Sequence, residues 1–182
     1  MEAKDFILKI DDAISTNTCK KIIELFESNY IHSERIVNEG APNFTQLNIN
    51  KQISNLVPPL SGTVLNHLNQ YKKQYSQFAK YFPPKICLEE FRIKCYNSEW
   101  KDRFDLHVDV TDKNSSIRFL SFLYYLNEDF SGGETIFPEQ KFAIKPKTGS
   151  LIIFPPTWQY PHIGKQVTSG KKYIMSTYLH YY

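Results

Sequence analysis

His107 and Asp109 stand two residues apart in the run Phe104, Asp105, Leu106, His107, Val108, Asp109, Val110. Side chains alternate across a strand, so the imidazole and the carboxylate are expected to project from one face and meet at one point. That is half of a metal site. His162 is the third candidate, because it follows an apolar strand at residues 151–154 and a double proline, where an antiparallel barrel would return the chain to the first strand's neighbourhood. Two imidazoles and one carboxylate fill three positions of an octahedron and leave three open, as in non-haem Fe(II) oxygenases, and the same ligand types also serve catalytic zinc. Lys172 bears on that choice. It lies ten residues beyond His162, past the turn Thr168, Ser169, Gly170, on a strand expected to run back antiparallel beside the histidine. An ammonium inside a barrel is costly without an anion. A dicarboxylate chelating the metal at one end would present that anion at the other.

Such residues need a rigid scaffold, and the second half of the chain reads as one. Runs at 86–96, 104–110, 117–126, 134–137, 142–145, 150–154 and 172–180 are short and rich in aromatic and β-branched residues, with Gly-, Asn- and Pro-containing turns between them. Ser131, Gly132, Gly133 and Thr168, Ser169, Gly170 are among those turns. Seven strands in succession predict an antiparallel barrel or sandwich. The first half reads mainly helical. Ser15 to Thr18 offer capping side chains, and Cys19, Ile22, Ile23 and Phe26 share one face of a helix over about 15–28. Val64, Leu65, Leu68, Tyr71, Tyr75 and Phe78 predict a second helix over about 60–80, stopped at Phe82, Pro83, Pro84. A short strand at 6–10 precedes them. Residues 30–50, with Gly40 and Pro42, read as a loop containing a strand near 45–49. The fold class is mainly β with N-terminal helices, α+β. The organisation expected is one domain over 1–182, a helical support region at 1–84 and a β core at 85–182.

Composition narrows the partners. A chain of 182 residues, 41% of them hydrophobic, carries enough apolar material for one ordinary core. Twenty-two Lys and Arg against nineteen Asp and Glu leave +3, and only four of the cations are arginine (35, 92, 103 and 118). A nucleic-acid module needs a clustered basic, guanidinium-rich face, so nucleic acid is not expected as a partner. No run approaches eighteen apolar residues, and Met1 to Asp5 lack the basic start of a secretory signal, so no membrane partner and a cytoplasmic location are expected. Abundant Lys, Ile, Asn, Tyr and Phe point to an A/T-rich bacterial or viral genome, hence a bacterial or virus-infected host cell. Three cysteines are read as reduced thiols: Cys87 and Cys95 would lie roughly 26 Å apart on one extended segment, too far to bridge. His32 and His67 are read as surface residues. Nothing in the pattern specifies an oligomeric state.

At this point the chain resembles the prolyl 4-hydroxylase-like branch of the 2-oxoglutarate and Fe(II)-dependent dioxygenases. The resemblance spans about residues 86–180 and rests on separated motifs: Tyr96; His107-Val-Asp109; the run from Phe119 to Asn127 leading to Phe130-Ser-Gly-Gly-Glu-Thr135-Ile-Phe-Pro138; the Lys145 to Gly149 turn; and His162-x-Gly164 with Val167 to Lys172. It implies a double-stranded β-helix, or jelly roll. His107, Asp109 and His162 would be iron ligands, Lys172 the salt-bridge partner of the 2-oxoglutarate C5 carboxylate, and Tyr96 and Thr135 hydroxyl donors to that carboxylate. The implied cofactors are Fe(II), 2-oxoglutarate and O2, with ascorbate as a reductant. The implied reaction is hydroxylation of a prolyl residue in a peptide or protein, with release of succinate and CO2; no side chain is expected as a general base. Tyr178 and His180 share a strand face with Lys172 and are expected to continue toward the substrate mouth. The loop between Tyr96 and His107 departs from the family in lacking its usual glycine and in being about two residues longer. Alternatives are a hydroxylase of another residue or of a free amino acid, and a non-catalytic, cupin-like metal-binding module. The nucleic-acid demethylase branch fits less well, because it resembles chains with arginine in the place of Lys172.

Overall fold

Strands with apolar side chains on both faces need a packed layer on each side, and this requirement shapes the molecule. The computed structural model describes residues 6–38 and 42–182. Its elements are β1 (Leu8–Ile10), α1 (Thr16–Ser28), β2 (Glu34–Val37), β3 (Asn43–Asn48), α2 (Ile49–Gln52), α3 (Val57–Gln74), β4 (Cys87–Leu88), β5 (Arg92–Asn97), β6 (Phe104–His107), β7 (Arg118–Tyr125), β8 (Ser131–Gly132), β9 (Thr135–Phe137), β10 (Phe142–Ile144), β11 (Leu151–Phe154), β12 (His162–Gly164), β13 (Val167–Ser169) and β14 (Lys171–His180). The large sheet runs β1-β11-β7-β14-β5-β3-β2, with β4 also paired to β14. A four-stranded sheet, β10-β9-β12-β6, faces it, and β13 pairs with β8. The named ladders are all antiparallel, and the two facing sheets form a jelly roll.

Alternation along the large sheet sorts its side chains into two cores. Ile93 and Cys95 of β5, Phe122 and Tyr124 of β7, Leu151 and Ile153 of β11, and Tyr173 and Met175 of β14 pack outward against the helices, on Phe26 of α1 and Val64 and Leu68 of α3. Tyr96, Tyr125, Ile152, Phe154 and Ile174, their neighbours in sequence, turn inward toward Phe137 and Ile144 of the small sheet. The helices therefore cover the outer face of the large sheet and leave the space between the sheets free for chemistry.

α1 begins where the sequence places it, with the Ser15 side chain accepting from the Thr18 amide at 3.1 Å. α3 starts earlier than expected and ends at Gln74, because Pro58 and Pro59 fit a first helical turn, where their missing donors are not needed. The stretch up to Tyr81 is a 3-10 turn. Two side chains on α3 differ from expectation. Leu65 is exposed, whereas His67 is buried and bonds through Nδ1 to the Tyr124 hydroxyl at 3.0 Å. His67 thus belongs to the packed stripe and not to the surface; His32 is exposed.

The region read as a loop holds an extra strand, β2, whose mixed polar and apolar side chains suit a sheet edge. Gly40, read as part of that loop, and the N-terminal residues 1–5 lie outside the described residues. The run 86–96 breaks into β4 and β5 at residues 89–91, and the stretches read as turns at 131–133 and 168–170 contribute β8 and β13. All three cysteines are free; Cys19 and Cys95 are buried and Cys87 is half-buried. Among the described residues no helix is long and apolar enough to cross a membrane.

Candidate active site

His107 closes β6 and His162 opens β12, and the ladder sets them directly opposite each other. Asp109 reaches the same point by another route. The strand expected over 104–110 ends at His107, and Asp109 lies beyond it, where its amide donates to the Pro156 carbonyl at 3.1 Å and its own carbonyl accepts from Arg118 Nη1 at 2.7 Å. Strand alternation therefore does not aim this carboxylate; those two hydrogen bonds fix the backbone that does. Asp109 Oδ1 stands 3.6 Å from His107 Nε2, and Oδ2 stands 3.8 Å from His162 Nε2. One donor atom from each residue lies within 4.8 Å of the others.

Both rings are oriented for coordination. His107 Nδ1 lies 2.8 Å from the Asp105 carbonyl, and His162 Nδ1 lies 3.1 Å from the Tyr160 carbonyl. A carbonyl can only accept, so each Nδ1 carries the proton and each Nε2 lone pair faces the cluster. Burial pushes the His162 imidazole down to about 4, against the opposing pull of Asp109. Burial raises the Asp109 carboxyl, but His162 and His107 outweigh it and hold it at about 2. A buried carboxylate between imidazole lone pairs calls for a cation, and this donor set fits a divalent metal with open positions.

Lys172 does not lie beside His162 on a ladder. Its strand, β14, belongs to the large sheet and pairs Lys172 with Tyr96 on β5. The turn at Gly170 carries the chain from β13 across to that sheet, so Lys172 approaches the site from the opposite wall. It is 3% exposed, and its Nζ donates to the Gly133 carbonyl at 2.7 Å. Gly133 has φ +70, and a Cβ there would lie 2.9 Å from the Phe130 ring and 3.1 Å from Lys172 Cδ, so only glycine lets this carbonyl reach the amine without displacing them. The rings of Tyr96 and Tyr125 flank Nζ at 5.2 and 5.5 Å. Desolvation, opposed weakly by Glu134, lowers the Lys172 amine to about 7. Among the described residues no carboxylate lies within ion-pair distance of it.

Thr135 and Tyr96 are both buried and line the same cavity as Lys172 and the three donors. The Tyr125 hydroxyl donates to Thr135 Oγ1 at 2.7 Å. Burial raises the phenols of Tyr96 and Tyr125, so both keep their protons. Tyr125 is not singled out by sequence; it shares strand parity with Ser121 and Leu123, which line the cavity, and stands behind Thr135.

The inner cavity measures about 30 Å³ and adjoins a wider mouth of about 460 Å³. Tyr178 lines both. His180 is not among the lining residues of either space, but its imidazole bonds Glu89, which lines the mouth, at 2.9 Å. The mouth also holds groups the sequence did not flag. Arg118 grips Glu89 through two hydrogen bonds of 2.7 and 2.9 Å and stacks over Tyr178 at 4.1 Å. Lys94 lines both spaces, and desolvation, opposed by Asp109, lowers its amine to about 8. The loop before β6 is held by Asp102, whose fully buried carboxylate receives both terminal nitrogens of Arg35 on β2 and the Asn97 amide. Lys101 adopts φ 54 in this glycine-free loop.

Comparisons with known proteins agree with this geometry. Residues 91–180 match the 2OG-Fe(II) oxygenase superfamily. The chain is 27% identical over 183 aligned positions to a protein of Acanthamoeba polyphaga mimivirus named "Putative prolyl 4-hydroxylase", covering 94% of this chain and 72% of that one. It is 44% identical over 62 residues to human prolyl 3-hydroxylase 2, a stretch covering 31% of this chain and 9% of the human protein. Among solved structures, the viral collagen prolyl hydroxylase of Paramecium bursaria Chlorella virus-1, in its 2-oxoglutarate complex, superposes with a TM-score of 0.75 at 22% identity over 97% of each chain. A prolyl 4-hydroxylase of Pseudomonas putida gives 0.74 at 14% identity, over 97% of this chain and 93% of that one. At those identities the structural likeness speaks for the fold.

Proposed function

Because the chain belongs to the 2-oxoglutarate and Fe(II)-dependent oxygenases and is prolyl 4-hydroxylase-like among them, we propose that it hydroxylates a prolyl residue of a peptide or protein. One structural relative was solved with a peptide fragment of the hypoxia inducible factor oxygen degradation domain, which supports a peptide-sized substrate. When bound, Fe(II) with 2-oxoglutarate and O2 supplies the oxidation of a C–H bond, with succinate and CO2 as coproducts.

The residues have distinct tasks in this reading. His107, Asp109 and His162 hold the metal from one side, and the Nδ1 contacts to backbone keep both rings aimed. Lys172 binds the far carboxylate of the cosubstrate, with Thr135 and Tyr96 as hydroxyl donors. Tyr125 orients the Thr135 hydroxyl. Leu123, Phe154 and Ile174 wall the inner cavity and keep water from it. Tyr178 borders the substrate entrance, and His180 acts only through Glu89. The N-terminal helices serve as a buttress, within one functional unit spanning the chain. No proton need be taken by a side chain, so the protein's work is binding, orientation and exclusion of water.

The observation that carries the proposal is the buried, unpaired ammonium of Lys172 in the same cavity as a three-donor metal cluster. A metal-binding module without a dicarboxylate would have no use for it. The test is succinate release in air with Fe(II), ascorbate and 2-oxoglutarate, with proline-containing peptides scored by mass spectrometry for a gain of about 16 Da, one oxygen atom. Turnover is expected to vanish in His107→Ala and fall strongly in Lys172→Ala. Succinate release with no oxidised prolyl peptide would move the substrate to another residue or a free amino acid.

A further inference from the structure

The inner cavity holds two lysines, and the proposed reaction uses only one. Lys94 lies on β5, two residues from Tyr96 on the same face, and the ladder pairs it with Ile174, two residues along β14 from Lys172. One pleat, about 7 Å, therefore separates it from the Lys172–Tyr96 level in the direction of the mouth. It lines both the inner cavity and the mouth. Among the described residues its ammonium has no hydrogen bond or ion pair, and its nearest recorded partner is the Phe44 ring, 5.0 Å to the centroid.

The charged groups around it are already committed. Glu89 is taken by Arg118, Arg92 and His180. Arg92 also bonds Glu90. Asp109 faces the two imidazoles, and in the proposed reaction it is bound to the metal. A half-buried cation with no ion pair of its own is an unfavourable thing to keep at a site entrance unless something arriving there neutralises it. We propose that Lys94 is a specificity-determining residue that selects substrates carrying a carboxylate next to the reacting carbon, such as a prolyl residue with an acidic neighbour or a terminal carboxylate. This rests on the oxygenase reading of the metal site. The cosubstrate is the other source of a carboxylate, but its anchoring cation, Lys172, lies at the inner level, whereas Lys94 also faces the mouth.

The experiment uses probe pairs that differ by one charge: prolyl peptides with Glu or Gln beside the proline, proline against prolinamide, and leucine against leucinamide. Each is titrated into the full chain loaded with Mn(II) and 2-oxoglutarate without O2, and separately incubated with Fe(II) in air for product analysis. The carboxylate member of at least one pair is expected to bind about tenfold or more tightly than its amide. Lys94→Met should erase that preference and Lys94→Glu invert it toward a Lys-flanked peptide, while affinity for 2-oxoglutarate stays within about twofold of wild type. The proposal is overturned if no carboxylate member outbinds its amide, if the preference survives Lys94→Met, or if 2-oxoglutarate affinity falls instead. The wild-type comparison needs no variant, so a misfolded mutant cannot shield the idea. The prolyl reading is judged separately: charge preference without any oxidised proline would sink that reading and leave Lys94 standing.

Discussion

Replacing Lys172 by methionine is expected to make the unliganded protein more stable while crippling its hold on 2-oxoglutarate. Desolvation brings this amine from 10.5 to about 7, against the weaker pull of Glu134. That displacement corresponds to roughly 5 kcal/mol against the charged form. The folded value lies below the unfolded one, so between about pH 7 and 10 the unfolded chain holds the extra proton. Stability therefore rises with pH through that window, and the full cost is present below it. Methionine removes this cost but leaves the Gly133 carbonyl, now bonded at 2.7 Å, without its donor, a loss of about 1–3 kcal/mol. The net gain is about 2–4 kcal/mol, or a Tm higher by roughly 5 °C or more at pH 6.5 for a chain of this size. Binding moves the other way, because a buried carboxylate stripped of its cation loses about 3–5 kcal/mol, roughly two to four orders of magnitude in Kd. Thermal melts at pH 6.5 and calorimetric titration of 2-oxoglutarate into the Mn(II)-loaded protein without O2 read both arms. A variant that binds 2-oxoglutarate like the wild type refutes the placement of the cosubstrate. One that melts several degrees lower refutes the accounting for the buried amine.

The same amine sets a pH dependence. Binding a carboxylate favours the protonated form, so the Kd for 2-oxoglutarate should be flat below about pH 7 and rise by up to about tenfold per pH unit above it, with proton uptake visible in buffers of different ionisation heat; a flat profile from 7 to 9 counts against it. Arg118→Leu removes the guanidinium that bonds the Asp109 carbonyl and should weaken Mn(II) or Co(II) binding about 10- to 100-fold with the circular dichroism spectrum retained; unchanged metal affinity would show that the Pro156 contact suffices. Gly149 has φ +79, and a Cβ there would come within 2.3 Å of the Ile14 carbonyl, so Gly149→Ala should cost at least about 2 kcal/mol in urea unfolding, and a loss under about 0.5 kcal/mol would contradict the geometry.

Much of the scaffold is written in local pattern. Short runs rich in aromatic and β-branched residues mark β5, β7, β11 and β14 because these strands bury side chains in a core on each face, and Ser15 marks the start of α1 because its hydroxyl has a specific amide to satisfy. The three metal donors are legible as residue types, but their geometry is not. Asp109 is aimed by the distant Pro156 and Arg118, contacts that no spacing encodes. His180 keeps the parity of Tyr178 and reaches the mouth only by way of Glu89, a partner no spacing announces. β2, β8 and β13 escape notice because two to four residues at an edge bury too little to demand a pattern. Lys94 is within reach, since it shares parity with Tyr96, but it is hidden among many lysines; Tyr125 has no such neighbour on its own strand and stands among twelve tyrosines.

β14 belongs to both cores at once. Lys172, Ile174, Ser176 and Tyr178 face the reaction space, while Tyr173, Met175 and Leu179 rest on the helical layer behind. One rod of backbone thus forms a wall of both compartments. Resizing side chains on α1 or α3 would press on this rod from behind and leave the cavity-lining groups themselves unchanged. An engineer seeking tighter or looser variants could search there first, out of sight of the chemistry.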